Sequence, residues 1–184
     1  MRAEQPVPKE ALQHTGVLAE DRPPGGEPRV PVQDAFRVLV TRLRAGSASR
    51  CARAAVREAL ARAGVTADGI GDAEIIVAEL AANAEKHACG PYELRIHCLS
   101  GIPMWCEMVD GGQELGEIPA MLAYLHTAEE IDLMPFAESG RGLFLAHRLS
   151  GGHCYSYPTT MSMGGTAGKA VAFALPAPSC GGTG

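Results

Sequence analysis

The sequence predicts an α+β fold, a two-layer α/β sandwich in which helices cover one face of a mixed, mainly antiparallel sheet. Three observations carry this. Strand-like alternation occurs once near the start of the body and then in two later pairs. Consecutive strands that pair as hairpins run antiparallel. Helical periodicity fills the stretches between, giving the order strand, helix, helix, hairpin, loop, helix, hairpin.

The elements follow in order. Residues 1–31 are rich in Pro, Glu and Gly, with Arg22-Pro23-Pro24-Gly25-Gly26-Glu27-Pro28 the densest run, and read as a disordered tail. The body spans 32–176. Phe36, Val38 and Val40 alternate with Arg37, Leu39 and Thr41, which predicts a strand. Ser47 or Ser49 can cap a helix that runs to about Ala63. Ala52, Ala55, Val56, Ala59, Leu60 and Ala63 form its apolar stripe, and Gly64 ends it. A second helix is predicted from near Asp72 to near His87, with Ile75, Ile76, Leu80 and Ala84 facing inward. Tyr92–Cys98 and Met104–Val109 alternate and are joined by Ser100-Gly101, a hairpin. Gly111 to Ser139 is polar and irregular, with a short helix expected around 118–130. Arg141–Leu149 reads as a third main helix, ended by Gly151-Gly152. Cys154–Tyr157 and Ala170–Leu175 form the last strand pair, joined by the loop Pro158–Lys169. Residues 177–184 read as a flexible C-terminal tail. The uncovered sheet face must then meet a partner or be unusually polar.

Composition narrows the function classes. The chain has 184 residues, 46% of them hydrophobic and only 5% aromatic, so its core is built mostly of Ala, Val, Leu and Ile. A formal net charge of -5 argues against a nucleic-acid surface. The densest basic set, Arg37, Arg42, Arg44, Arg50, Arg53 and Arg57, lacks interleaved aromatics and reads as a solvated face. No apolar run is long enough for a membrane span, and the N-terminus has no apolar signal core, so a cytoplasmic protein is expected. Cys98, Cys106 and Cys154 sit in apolar or alternating segments and read as buried thiols. His87, Cys89, His97, Cys98, His153 and Cys154 match no usual zinc spacing.

Three stretches can carry chemistry. In Glu79-Leu80-Ala81-Ala82-Asn83-Ala84-Glu85-Lys86-His87, Glu79 and Asn83 are four apart and share a helix face. They form either a solvated pair or a carboxylate base beside an amide oxygen that can ligate Mg²⁺. Val109-Asp110-Gly111-Gly112 is either a turn or a strand-end carboxylate that accepts from an adenine amino group. In the second reading Gly112 lets the base approach the backbone. Ser139-Gly140-Arg141-Gly142-Leu143 opens a helix, and is either a plain junction or a phosphate-binding N-terminus. It is not a Walker A loop.

Taken together, these stretches resemble the GHKL (Bergerat-fold) ATPase superfamily of gyrase, the heat-shock ATPase chaperone, MutL and the histidine kinases. Glu79–His87 resembles the N box, Asp110-x-Gly112 the G1 box, Gly140-x-Gly142 the G2 box, and Gly168-Lys169-Ala170-Val171-Ala172-Phe173 the final strand motif. The likeness covers about residues 33–176. "AELAANAEKHA" and "ESGRGLFLAHRLS" are similar to the anti-sigma-factor serine/threonine kinases of the actinobacterial type. A sensor histidine kinase would carry a phosphoacceptor helix; His14 lies in the tail and the first helix has no His.

The resemblance implies a Bergerat ATP-binding fold with ATP and Mg²⁺ as cofactors. It makes Glu79 the catalytic base and Asn83 the Mg²⁺ ligand. Asp110 would read adenine, with Gly112 lining the base pocket. Gly140, Arg141 and Gly142 would meet the phosphates, with Lys86 and His87 able to approach them. It also implies an anti-sigma factor that phosphorylates an anti-anti-sigma (STAS-type) protein, with a sigma factor as partner, working as a homodimer. Two departures stand beside this. Gln113-Glu114 follows Gly112 where a further glycine is usual. The segment up to Gly140 carries Glu114, Glu117, Glu129, Glu130, Asp132 and Glu138. Phosphoryl transfer needs positive charge near the γ-phosphate, and Arg141 is the residue placed to supply it. The alternative is a non-catalytic interaction module with a degenerate or nucleotide-only pocket.

Overall fold

The computed structural model describes residues 35–127 and 141–179. The expected tail at 1–31 with residues 32–34, the stretch 128–140 with Gly140, and residues 180–184 of the expected tail at 177–184 lie outside the described residues. The elements run β1 (Phe36–Leu43), α1 (Ala48–Arg62), α2 (Ala67–His87), β2 (Tyr92–Leu99), β3 (Ile102–Asp110), α3 (Ile118–Thr127), α4 (Arg141–Leu149), β4 (Cys154–Thr160) and β5 (Ala167–Ala174). The strands form one sheet in the order β1-β2-β3-β5-β4, and every neighbouring pair is antiparallel. No described helix is long and apolar enough to cross a membrane.

Alternation along the strands builds the two layers. Leu94, Ile96, Cys106, Met108, Val171 and Phe173 point to one face and are buried there against the helices. α1 and α2 add Ala52, Val56, Leu60, Ile76, Val77, Leu80 and Ala84 to the same core. Cys98, Cys106 and Cys154 are buried free thiols, as expected. Burial pushes Cys154 up to about 12, and Cys106 higher still with the Glu107 charge beside it.

The other face carries a buried polar network beside apolar residues: Phe36, Val38 and Val40 of β1 are exposed there, and Val109, Met161 and Ala170 form a small buried cluster. Arg95 donates to Glu93 Oε1 (2.7 Å from Nε), Thr159 Oγ1 (3.2 Å) and Glu107 Oε2 (3.4 Å). Tyr157 donates its hydroxyl to Glu107 Oε1 (2.7 Å), and the Ser162 N–H donates to Glu93 Oε1 (2.9 Å). Burial alone would raise Glu93; the hydrogen bonds from Ser162 and Arg95 outweigh it and hold its carboxyl below the usual range. Each buried charge on this face is therefore paired, as burial demands.

Several boundaries differ from expectation. The second helix starts at Ala67, not near Asp72: Thr66 caps it by accepting from the Gly69 N–H (3.2 Å), which outweighs the weak helix propensity of Gly69 and Gly71. Ser47 stands at the α1 N-cap without a side-chain cap bond. Glu85 of α2 does that work, its Oε1 accepting from Gly46 N (2.5 Å) and Ala48 N (3.4 Å). Ile75 is 46% exposed, because Ile76, Val77 and Leu80 already fill the inward stripe. β4 runs through Pro158 to Thr160 and β5 begins at Ala167, so the loop is shorter than expected. Proline is tolerated there because β4 is an edge strand. The Ser100-Gly101 turn forms as expected, with φ of 51° and 84°.

Candidate functional site

A cleft of about 310 Å³ opens between α2, the ends of β3 and β5, and the segment leading into α3. Its size and mixed lining suit a small organic ligand. Leu80, Ala84, Met108, Leu143 and Val171 form apolar walls, and Asn83, Asp110 and Lys169 bring polar atoms in.

Register explains the floor. Asp110 ends β3 and lies opposite Lys169 at the start of β5. Both share the helix-facing parity of Met108 and Val171, so both point into the cleft. Asp110 is 5% and Lys169 8% exposed. Lys169 Nζ donates to Asp110 Oδ1 at 2.8 Å, and the Gly112 N–H donates to the same oxygen at 2.9 Å. A Cβ at Gly168 would lie 2.5 Å from the Asp110 carbonyl oxygen, so only glycine lets β5 close on β3 here. A Cβ at Gly112 would collide with Lys169 Nζ. The space over Gly112 thus holds an ammonium.

The other end is made by two helices. Glu79 and Asn83, one turn apart on α2, are half-buried. Gly142 of α4 packs onto both: its Cβ would stand 2.6 Å from Asn83 Nδ2 and 3.3 Å from Glu79 Oε2. The predicted pair and the predicted glycine therefore meet. Asn83, Lys86 and His87 line the cleft, the last two exposed at its rim. Glu79, one turn before Asn83 on α2, is not part of the lining. Arg141 opens α4, is exposed, and is likewise not part of the lining. Gly140 lies outside the described residues.

These residues fit a magnesium nucleotide. Asp110 gives a carboxylate at the closed end, the apolar walls suit a base, and Asn83, Lys86 and His87 stand toward the open rim. Mg²⁺ usually takes one or two protein oxygens and completes its shell with phosphate and water. Asn83 lines the cleft and would offer an amide oxygen of the kind such a site uses. Among the described residues no group of three or more His, Cys, Asp or Glu is arranged to hold an ion by itself.

Sequence reasoning missed Lys169 as a site residue. The signal was available: Lys169 keeps the inward parity of Val171 and Phe173, where a charge is out of place unless paired. Glu114 and Glu117 also line the cleft wall.

Residues 42–166, about two thirds of the chain, match the family described as a histidine kinase-like ATPase domain. A comparison with curated proteins gives no match. The matched span begins within β1 and ends one residue before β5, so Lys169 falls just beyond it. With fold, cleft and matched span in agreement, the chain belongs to the histidine kinase-like ATPase family.

Proposed function

We propose that this protein binds ATP with Mg²⁺ and acts as an anti-sigma factor with serine/threonine kinase activity toward an anti-anti-sigma (STAS-type) antagonist. The observation that carries this reading is the meeting of Glu79, Asn83 and Gly142 beside the cleft that holds Asp110. The base would enter against Asp110. Asn83 would hold Mg²⁺ between the phosphates, which supplies charge neutralisation there. Lys86 and Arg141 would supply positive charge toward that end, with His87 at the same rim, and Glu79 would orient the partner's hydroxyl for attack. Homodimerisation is part of the proposal: the β1 edge exposes Phe36 (64%), Val38 and Val40 on the sheet face away from the helices, a surface suited to self-association.

A second reading, a non-catalytic module that holds nucleotide and acts through contact alone, is favoured by Glu114 and Glu117 in the cleft wall. One experiment separates the two. The protein is incubated with labelled ATP, Mg²⁺ and a co-expressed STAS-type partner, as wild type and Glu79→Ala. Calorimetry with ATP runs in parallel. The kinase reading expects phosphate on the partner, lost in the variant, with ATP affinity kept within about twofold. Nucleotide binding without any transfer supports the second reading, and equal loss of binding and transfer in Glu79→Ala removes the role given to Glu79.

A further inference from the structure

Lys169 is a buried ammonium at the closed end of a cleft, and nothing in the phosphate chemistry above uses it. Even a paired buried charge carries a desolvation cost, and apolar residues of similar volume often stabilise such a position better. A structural role alone therefore accounts poorly for a lysine here.

The geometry gives it a role. Among the described residues, Asp110 Oδ1 is the one hydrogen-bond partner of Nζ. An ammonium has three donors, so two remain. Nζ lies over Gly112, inside the space that a larger residue at that position would fill. Asp110 Oδ1 is already taken by Nζ and by the Gly112 N–H, while Oδ2 accepts from no described residue. The closed end thus presents an acceptor and a donor side by side, held at adjacent strand ends. The pairing edge of adenine presents the complement: the amino group at C6 donates, and the neighbouring ring nitrogen N1 accepts.

We propose that Lys169 is a specificity-determining residue for the nucleobase: its ammonium donates to adenine N1 while Asp110 Oδ2 accepts from the C6 amino group. The proposal rests on the nucleotide-binding reading above and adds to it the group that reads N1. A guanine edge reverses the order of donor and acceptor, so the same pair discriminates against it. The hydrogen bond is charge-assisted, and removing such a bond from one side lowers affinity by about tenfold or more.

The test is calorimetry on the full chain with Mg·ATP and with Mg·1-deaza-ATP, in which N1 is replaced by C–H. The expected result in wild type is at least about tenfold weaker binding of the deaza analogue. In Lys169→Met, ATP should fall to about the level of the analogue, and the two should bind within about twofold of each other. Lys169→Met leaves Asp110 unpaired, so a second variant, Asp110→Asn with Lys169→Met, removes both charges. In it the two nucleotides should also bind alike. Equal affinities in wild type overturn the proposal and leave the nucleotide reading standing. A preference for ATP that survives in both variants overturns it too, because another group then reads N1. So does tighter ATP binding by Lys169→Met, which would make Lys169 a competitor for Asp110. If wild type binds neither nucleotide, the nucleotide reading falls and takes the proposal with it.

Discussion

The two ends of the cleft are held by different kinds of structure. At the closed end, Asp110 and Lys169 are opposite partners in a strand pair, buried and joined at 2.8 Å. At the rim, Asn83, Lys86 and His87 ride the surface of one helix, and a second helix meets that surface through Gly142. Sheet register cannot slip by one residue without turning every inward side chain outward. A helix contact made through a glycine can shift while the sheet stays intact. The closed end is therefore preorganised, and the rim is the part free to adjust to a ligand.

The largest effect that would test this contrast comes from Asp110→Ala. It leaves the Lys169 ammonium buried without its partner, which costs about 3–5 kcal/mol. Denaturant unfolding should show that loss, and the paired replacement Asp110→Asn with Lys169→Met should recover most of it. A loss below about 1 kcal/mol would mean the closed end relaxes easily and is no more preorganised than the rim.

At the rim the corresponding change is Gly142→Ala. The new methyl meets Asn83 Nδ2 at 2.6 Å and Glu79 Oε2 at 3.3 Å, so α4 or Asn83 must move. Overpacking of this kind costs about 1–3 kcal/mol, partly offset by the better helix propensity of alanine. On the reading given above, the Mg²⁺-dependent part of ATP affinity should fall while the Mg²⁺-independent part is kept. Calorimetry in Mg²⁺ and in a chelator separates the two. Equal loss in both would show that the closed end had moved as well.

The same contrast decides what was legible beforehand. Local pattern carried the element order, the hairpin at Ser100-Gly101 and the meeting of Glu79 with Asn83, because each depends on residues a few positions apart. The features that escaped depend on distant partners. Glu85 caps α1 from 37 residues away along the chain, in place of the local serine. Lys169 is explained only by Asp110, 59 residues earlier. Ile75 reads as core by type, yet the crossing of α2 over α1 and the sheet leaves it outside. Pro158 reads as a strand stop until β4 is known to be an edge. The match of Gly142 to a helix surface, rather than to open space at a helix start, likewise appears only once α4 lies on α2.

The smallest expected effect concerns pH, and it again separates the two ends. His147 lies on α4, the helix that carries Arg141 and Gly142. Its Nε2 is buried and has no hydrogen-bond partner among the described residues, and its ring meets His126 of α3 edge-on at 4.7 Å. Burial first, then the nearby charges of His126 and Arg148, hold its pKa below the ordinary 6.5. The unfolded chain therefore takes up this proton at a higher pH than the folded one. Between the two values the unfolded state binds more protons, so stability falls as pH drops through 6.5 toward the depressed folded value. Replacing His147 by Leu removes that contribution. The denaturation midpoint of wild type should therefore decline more between pH 7.5 and 5.5 than that of the variant. Amide exchange gives the local view: on acidification α4 should lose protection before β3 and β5, and in His147→Leu this difference should shrink. Parallel pH slopes in the two proteins, or simultaneous loss in helix and strands, would place the acid-sensitive point elsewhere and make α4 as firmly held as the strand pair beneath Asp110.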